Sequence, residues 1–289
     1  MNPFRLIATD LDGTLLDPTG ALSPRTLAAL HAAHTAGVVT VLATARRYTG
    51  AEPIARAIGS VGAIITFDGA QIRGYPEGTI LASAHLKARR AQRAAELIHA
   101  HGLRPIAQHS DATGERLIVG PQPEAPEWSR AYLDAVAPLV APSDLATMCA
   151  GYPDPVRVVA FGPAARIHRV ARVIAADPVV AASGPESGVG VHVLEAGNYG
   201  AAELTVLPAG ASKGAALAEI SQRFGVSLDQ VLALGDGVND ISMFRVAGLS
   251  VAMGNAAPGL LRVAHATTAS NGEDGAALAI EHYILDRPA

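Results

Sequence analysis

With 289 residues, the chain has material for one large hydrophobic core or two moderate ones. Hydrophobic side chains make up 49% of it and charged ones 17%, a balance that excludes an intrinsically disordered chain. The net charge of −4 argues against a nucleic-acid footprint, and no apolar run reaches the length of a membrane span. Cys149 is the single cysteine, which rules out an internal disulfide framework. The first strand begins within a few residues of Met1 and leaves no room for a secretory signal, so the expected setting is cytoplasmic.

Phe4 to Thr9 is an apolar run that predicts a buried strand, and it ends in Asp10-Leu11-Asp12-Gly13-Thr14. Ser23-Pro24 reads as an N-cap with proline in the first helical turn. Leu27, Leu30 and Ala33 or His34 supply that helix's apolar stripe, and Gly37 stops it. Val38 to Ala43 and Gly62 to Phe67 predict two further buried strands, the second ending at Asp68-Gly69. Strands that are apolar throughout and alternate with helices predict a parallel sheet covered on both faces. After about Leu81 the pattern changes. Residues 88–101 predict an amphipathic helix with Ala91, Ala94, Ala95 and Ile98 on one side. Proline and glycine are dense at 120–123 and 151–155, Val156 to Phe161 predicts a strand, and Pro163 to Ala175 a helix. Residues 84–200 are therefore expected to form an inserted α+β cap, with Glu203 to Leu207 returning the chain to a core made of residues 1–83 and 201–289. Ser212 is expected to cap a helix carrying Ala216, Leu217, Ile220 and Phe224. Val231 to Leu234 is a strand, Asp240 to Ala247 a short helix, and Ser250 to Met253 and Ala264 to Ala269 the last strands. The predicted fold class is α/β, a doubly wound parallel Rossmann-like sheet with the inserted cap.

Asp10 and Asp12 are a poor arrangement for stability, because like charges that close resist joint ionisation unless a cation or strong donors offset them. At a strand end, where α/β sheets bind ligands, the pair fits a metal-assisted reaction in which one carboxylate attacks and the other moves a proton. The strand at 231–234 runs into a second acidic loop, Gly235-Asp236-Gly237-Val238-Asn239-Asp240. Asp236 would complete an oxygen-only shell, which suits magnesium better than zinc. Asp240, about one helical turn further on, either ligates the ion or supports the residues that do. Asn239 has an amide with which to meet a phosphate or to orient the carboxylates. Thr44 offers a hydroxyl at a strand's carboxyl end, and the amides of Ala45 and Arg46 at a helix start add to it. Lys213 offers a full positive charge against both phosphate and Asp10.

In this order, the segments Asp10 to Thr14, Val41 to Arg46, Pro208 to Gly214 and Gly235 to Asp240 resemble the four motifs of the haloacid dehalogenase (HAD) superfamily. The chain looks most like its type IIB, Cof-like phosphatases, from Phe4 to about Ile280. The resemblance implies an aspartyl-phosphate on Asp10, with Asp12 as general acid and then base. It implies Mg2+ held by Asp10, Asp236 and the backbone carbonyl of Asp12, and phosphate contacts from Leu11, Thr44, Ala45, Arg46, Lys213 and Asn239. The implied substrate is a small phosphorylated metabolite, above all a sugar phosphate, chosen by a lid that excludes bulk water. No nucleic acid or membrane is expected as a partner, and the chain is expected to be a monomer or homodimer. Asn271 resembles the family's closing turn and would orient the second acidic loop, although an ordinary turn asparagine predicts the same letters.

Two positions depart from the family's pattern. Ala45 stands where similar proteins commonly carry glycine, and Asp68 where they usually carry asparagine. A carboxylate at 68 removes an amide donor and adds negative charge, so either the substrate contacts differ there or Asp68 is protonated or paired, with Arg46 the candidate partner and support of the metal site the other role open to it. Other groups read as structural: Cys149 as a small buried hydrophobe, Trp128 and Tyr132 as packing, and Lys87 to Arg93 as a solvated face. His99 and His101 complement a helix end, and His31 and His34 lack a partner that would suggest a metal. Two other functions compete: a sugar-phosphate-binding regulator that has lost turnover, and a glycosyltransferase using Asp10 and Asp12 to hold a nucleotide diphosphate through a metal. The second would leave Thr44, Lys213 and the loop from Gly235 to Asp240 as coincidences.

Overall fold

The computed structural model describes residues 3–123, 127–150, 152–181, 189–194 and 200–286. Contacts divide the chain into two compact units, Met1–Ala82 with Ser212–Ala289, and Ser83–Ala211. The first stretch runs β1 (Leu6–Thr9), α1 (Pro24–Thr35), β2 (Val39–Ala43), α2 (Tyr48–Ile58), β3 (Val61–Thr66), β4 (Gln71–Gly74) and β5 (Ile80–Ser83). As expected, the Ser23 hydroxyl oxygen accepts from the Thr26 amide, and Pro24 sits in the first turn of α1, where its missing N–H leaves no bond unmade.

The inserted unit runs α3 (Ala88–Ala100), β6 (Ile106–Asp111), β7 (Gly114–Val119), α4 (Arg130–Ala135), β8 (Val140–Pro142), β9 (Arg157–Gly162), α5 (Ala164–Ala176), β10 (Val189–Leu194) and β11 (Ala202–Pro208). Its described strands form one sheet in the order β10-β11-β9-β6-β7-β8. One face carries α3 and α5 on a core of Ala91, Ala95, Ile98, Ile167, Val170 and Ile174, with Cys149 buried among them. Burial pushes the Cys149 thiol up to about 12, which suits packing and not chemistry. The opposite face holds Ile106, Val159 and Phe161 under Tyr132, with Trp128 packed alongside. The Tyr132 ring lies 4.8 Å from that of Phe161, and its hydroxyl accepts from Gln108 Nε2 at 2.6 Å.

The boundary at residue 201 requires correction. Strand β11, expected in the core, pairs antiparallel with both β10 and β9 inside the insert, and the core resumes at Ser212. The faces of β11 explain why. Leu204 and Val206 join the α3/α5 side, while Glu203 lies 3.8 Å from Arg157 and receives the Thr205 hydroxyl. A strand that carries a carboxylate and a hydroxyl on one face suits an antiparallel sheet better than a parallel one whose two faces are both lined with apolar side chains.

The chain then continues through α6 (Lys213–Arg223), β12 (Val231–Gly235), α7 (Ile241–Phe244), β13 (Leu249–Ala252), α8 (Pro258–Leu261), β14 (Ala266–Thr267) and α9 (Gly275–Tyr283). The helix expected from Asp240 to Ala247 is shorter, because a 3-10 turn at Val238–Asp240 precedes α7. The core sheet has the order β14-β13-β12-β1-β2-β3-β4-β5 among the described residues. Strand β1 is parallel to β2 and β12, and β4 turns back antiparallel to β3. Apolar side chains fill both faces, Ile7, Leu42 and Ile64 on one, Leu6, Val41 and Ile65 on the other. Because the chain moves outward from β1 through β2 and β3 and later returns on β12, the order reverses at the β1–β12 pair. Loops diverge there at the strands' carboxyl ends and leave a crevice for a ligand. Among the described residues, no helix is long and apolar enough to cross a membrane.

His109 on β6 gives the insert a readable pH dependence. Burial, with Arg116 and His85 nearby, lowers its imidazole from 6.5 to about 4. The unfolded chain therefore takes up a proton below about 6.5 that the folded chain refuses until about 4, so this group costs stability as pH falls through that window. Denaturant titrations from pH 7 to pH 4 should show this loss, and a His109→Gln variant should lose part of the slope.

Candidate active site

Asp10 and Asp236 leave adjacent parallel strands, with Thr9 opposite Leu234, and the Asp10 amide donates to the Leu234 carbonyl at 3.1 Å. The chain turns at once through Gly13, whose φ is +76°; a Cβ there would overlap the Asp236 carboxylate. Thr14 follows, and its hydroxyl donates to Asp236 Oδ1 at 2.9 Å. The two acidic loops are thus tied together by backbone, by close approach and by a side-chain bond.

Lys213 opens α6, which Ser212 caps by accepting from the Ala215 amide. Its ammonium is fully buried, with Nζ 2.9 Å from Asp10 Oδ1 and 2.6 Å from Asp240 Oδ1. The other oxygen of Asp240 accepts from the amides of Asp236 and Gly237 at 3.0 and 2.9 Å. Both Asp240 oxygens are therefore engaged in holding Lys213 and the second loop. Burial opposes the charge on Lys213, but Asp10, Asp240 and Asp68 outweigh it and hold the ammonium above the ordinary lysine range. Asp10 is pushed well up by burial, partly offset by Lys213 and reinforced by Asp240 and Asp236. Asp236 rises to about 6, through burial and then the charge of Asp240.

Asp10, Asp236 and Asp240 each place a carboxylate oxygen within 4.8 Å of the others. Such a set fits a hard divalent cation, which takes oxygen donors and favours the ionised form that burial now opposes. With both Asp240 oxygens engaged, Asp10 and Asp236 have the freer donors, and Asp240 supports them.

The phosphate-site candidates gather on neighbouring loops. Thr44 follows β2, and its hydroxyl oxygen accepts from the Arg46 amide at 3.1 Å. Ala45 is not among the non-glycine residues with positive φ, so alanine fits where a glycine was expected. Leu11 is buried in the core and can reach the site only through its backbone. Arg46, named above as a candidate partner of Asp68, directs Nε and Nη2 at the two oxygens of Asp12, at 2.7 and 2.6 Å. Asp68 is buried in a left-handed turn with φ of +54°, which aspartate tolerates better than most residues. Its amide donates to the Thr44 carbonyl, and its Oδ1 accepts from Asn239 Nδ2 at 2.9 Å. Gly69 lets this turn close on α6, since a Cβ there would overlap the Ser212 backbone.

Asn271 serves a different loop from the one expected. Its Nδ2 donates to the Leu16 carbonyl at 2.8 Å, and its amide donates to Asn255 Oδ1 at 2.9 Å. Asn255 Nδ2 in turn donates to the Gly13 carbonyl at 2.8 Å, so these bonds brace the first acidic loop. Asn255 escaped the sequence reading; its signal was a turn dipeptide, Gly254-Asn255, directly after an apolar strand at the ligand-binding edge. Thr14 was visible inside its motif, but its bond to Asp236 depends on a residue 222 positions away.

The sequence model of the haloacid dehalogenase-like hydrolase family matches residues 7–115 and 191–280. A 5-amino-6-(5-phospho-D-ribitylamino)uracil phosphatase of Bacillus subtilis, YcsE, is 42% identical over 92 residues, a local match covering 32% of this chain and 37% of that protein. The pyridoxal phosphate phosphatase YbhA of Escherichia coli is 26% identical over 290 residues, covering 97% of this chain and 99% of that one. Among solved structures, the HAD subclass IIB sugar phosphatase BT4131 superposes with a TM-score of 0.77 at 21% identity, covering 96% of this chain and 98% of that one.

Removing the buried cation should expose the repulsion it relieves. A Lys213→Met variant should lose about 3–5 kcal/mol of stability at neutral pH, the usual cost of breaking a buried ion pair from one side. The deficit should shrink on acidification, as protons replace the missing charge on Asp10 and its neighbours. Unfolding curves at pH 7.5 and pH 5 read both effects.

Proposed function

The chain belongs to the haloacid dehalogenase-like hydrolase family, and from that premise we propose a magnesium-dependent phosphatase that works through an aspartyl-phosphate on Asp10. The observation that carries this reading is the Asp10 carboxylate, 2.9 Å from the Lys213 ammonium and within 4.8 Å of an Asp236 oxygen. A nucleophilic carboxylate needs positive charge around it, both to stay ionised when buried and to accept an incoming phosphate dianion.

Asp10 and Asp236, with the backbone carbonyl of Asp12, would hold the ion; when bound, magnesium supplies positive charge to the phosphate oxygens. A carboxylate oxygen of Asp10 attacks phosphorus and forms the acyl-phosphate bond while the ester P–O bond breaks. Asp12, protonated, gives its proton to the leaving oxygen and becomes a carboxylate. That carboxylate then takes a proton from water, whose oxygen attacks phosphorus and expels Asp10, restoring both groups. Lys213 offsets charge on Asp10 and on the phosphate throughout. The Thr44 hydroxyl and the Ala45 amide offer donors to the remaining oxygens, the Arg46 amide being given to the Thr44 hydroxyl oxygen. Substrates of this reading are small phosphate monoesters. The relatives' names recommend a panel that joins sugar phosphates to phosphorylated compounds bearing a nitrogen heterocycle.

Asp10→Asn should abolish magnesium-dependent phosphate release from such a panel while leaving the melting temperature near that of the wild type. Steady-state turnover by a sample whose mass excludes deamidation would remove Asp10 from the nucleophile's role. Magnesium affinity should weaken below about pH 6, because Asp236 must then give up a proton to bind the ion. Calorimetry in two buffers of different ionisation enthalpy would count that proton.

A further inference from the structure

Sequence pattern assigned Arg46 to the phosphate, and the geometry gives its side chain a partner that the pattern did not name. Nε donates to Asp12 Oδ2 at 2.7 Å and Nη2 to Oδ1 at 2.6 Å, the parallel two-bond fit of a guanidinium to a carboxylate. Nη1 donates to the Gly50 carbonyl in the first turn of α2 at 3.2 Å. The Arg46 amide donates to the Thr44 hydroxyl oxygen. The residue is thus held at its backbone and at the far edge of its guanidinium, and between these points it holds Asp12.

Asp12 has need of such a holder. Its side chain is about a third exposed, unlike those of Asp10 and Asp240. It stands one residue before the turn at Gly13, and none of the contacts that anchor the loop (Asn255 to Gly13, Asn271 to Leu16, Thr14 to Asp236) touches its carboxylate. A carboxylate that exchanges protons with a leaving oxygen must keep one oxygen aimed along the line of that bond, and misplacement of an ångström costs heavily. The two-bond fit uses one lone pair on each Asp12 oxygen and fixes the carboxylate plane, leaving the other lone-pair positions for proton exchange.

We propose that Arg46 is a positioning residue for Asp12, fixing the carboxylate that exchanges protons with the leaving group and with water. This rests on the acid–base reading of Asp12. Arginine is specific to the task, because a lysine at this position would carry the charge without the fork that sets a plane.

Phenyl phosphate and 4-nitrophenyl phosphate test the idea, since they share a shape and differ in how strongly the departing oxygen needs a proton. The enzymes compared are the wild type, Arg46→Gln, Arg46→Lys, Asp12→Asn and the Arg46→Gln/Asp12→Asn double variant, each with a thermal melt. In Arg46→Gln, kcat for phenyl phosphate should fall on the order of 10- to 100-fold, part of the effect a general acid supplies. The fall for 4-nitrophenyl phosphate should be under about threefold, with KM for both esters little changed, if leaving-group protonation is what Arg46 serves. Arg46→Lys should show the same selective loss, and the double variant should discriminate between the esters no more than Asp12→Asn alone. If Arg46 is instead a phosphate ligand, KM will rise and both esters will slow alike, which overturns the proposal. If Asp12→Asn itself slows the two esters equally, the acid–base reading beneath the proposal fails and the proposal falls with it. Selective slowing by Asp12→Asn but not by either Arg46 variant removes Arg46 alone. Should Arg46→Gln melt early, Arg46→Lys carries the comparison.

Discussion

The burial of one ammonium among carboxylates is the constraint on which the rest of this structure depends. Lys213 sits without solvent between Asp10 and Asp240, and each of these groups alone would be expensive to bury. Their mutual attraction offsets that cost only if each remaining lone pair and proton has a partner. Much of the local architecture meets that demand. Two amides of the second loop converge on Asp240, Ser212 caps the helix that carries the lysine, and the Ser242 hydroxyl accepts the amide of Gly214. The site still carries an excess of negative charge near Asp10 and Asp236, visible in how far burial and neighbouring carboxylates raise both groups. A protein tolerates such an imbalance where function supplies the missing positive charge from outside.

Position is handled by other residues than those that handle charge. The first acidic loop is pinned at Gly13 by Asn255, at Leu16 by Asn271 and across to Asp236 by Thr14, none of them ionisable. Neutral donors suit this work because they fix geometry without disturbing the field that the carboxylates and Lys213 create. Arg46 does both, bringing charge and a rigid plane to Asp12.

What could be read from the sequence follows the range of the interactions involved. Asp10, Asp236 and Lys213 were legible because each stands where an apolar strand ends or a capped helix begins, and those are local signals. Ser23 and Ser212 were legible as caps for the same reason. The bond from Arg46 to Asp12 and the switch of Asn271 to the first loop were not. They depend on which loops become neighbours after the strands are ordered, and residue spacing does not carry that. Asp68 stood out by its letter alone; its left-handed turn and its bond to Asn239 appear only in three dimensions. Strand β11 was misplaced because Leu204-Thr205-Val206-Leu207 reads equally well as a buried core strand. Only its pairing with β9 and β10 decides which sheet it joins.

That placement of β11 bears on how the chain is made. It lies between β10 and β9, so the sheet of the insert is complete once Pro208 has been added. The core is in the opposite position: β1 needs β12 on one side, and Val231 has not yet been synthesised when the insert is whole. The N-terminal strands, though made first, have only one flank of partners while the ribosome completes the inserted unit. Domains fold as units as they emerge, and contacts between distant segments form late. The unit encoded in the middle is thus the first that can finish, and the aspartates of the first loop meet their lysine and second loop only after the insert has been made.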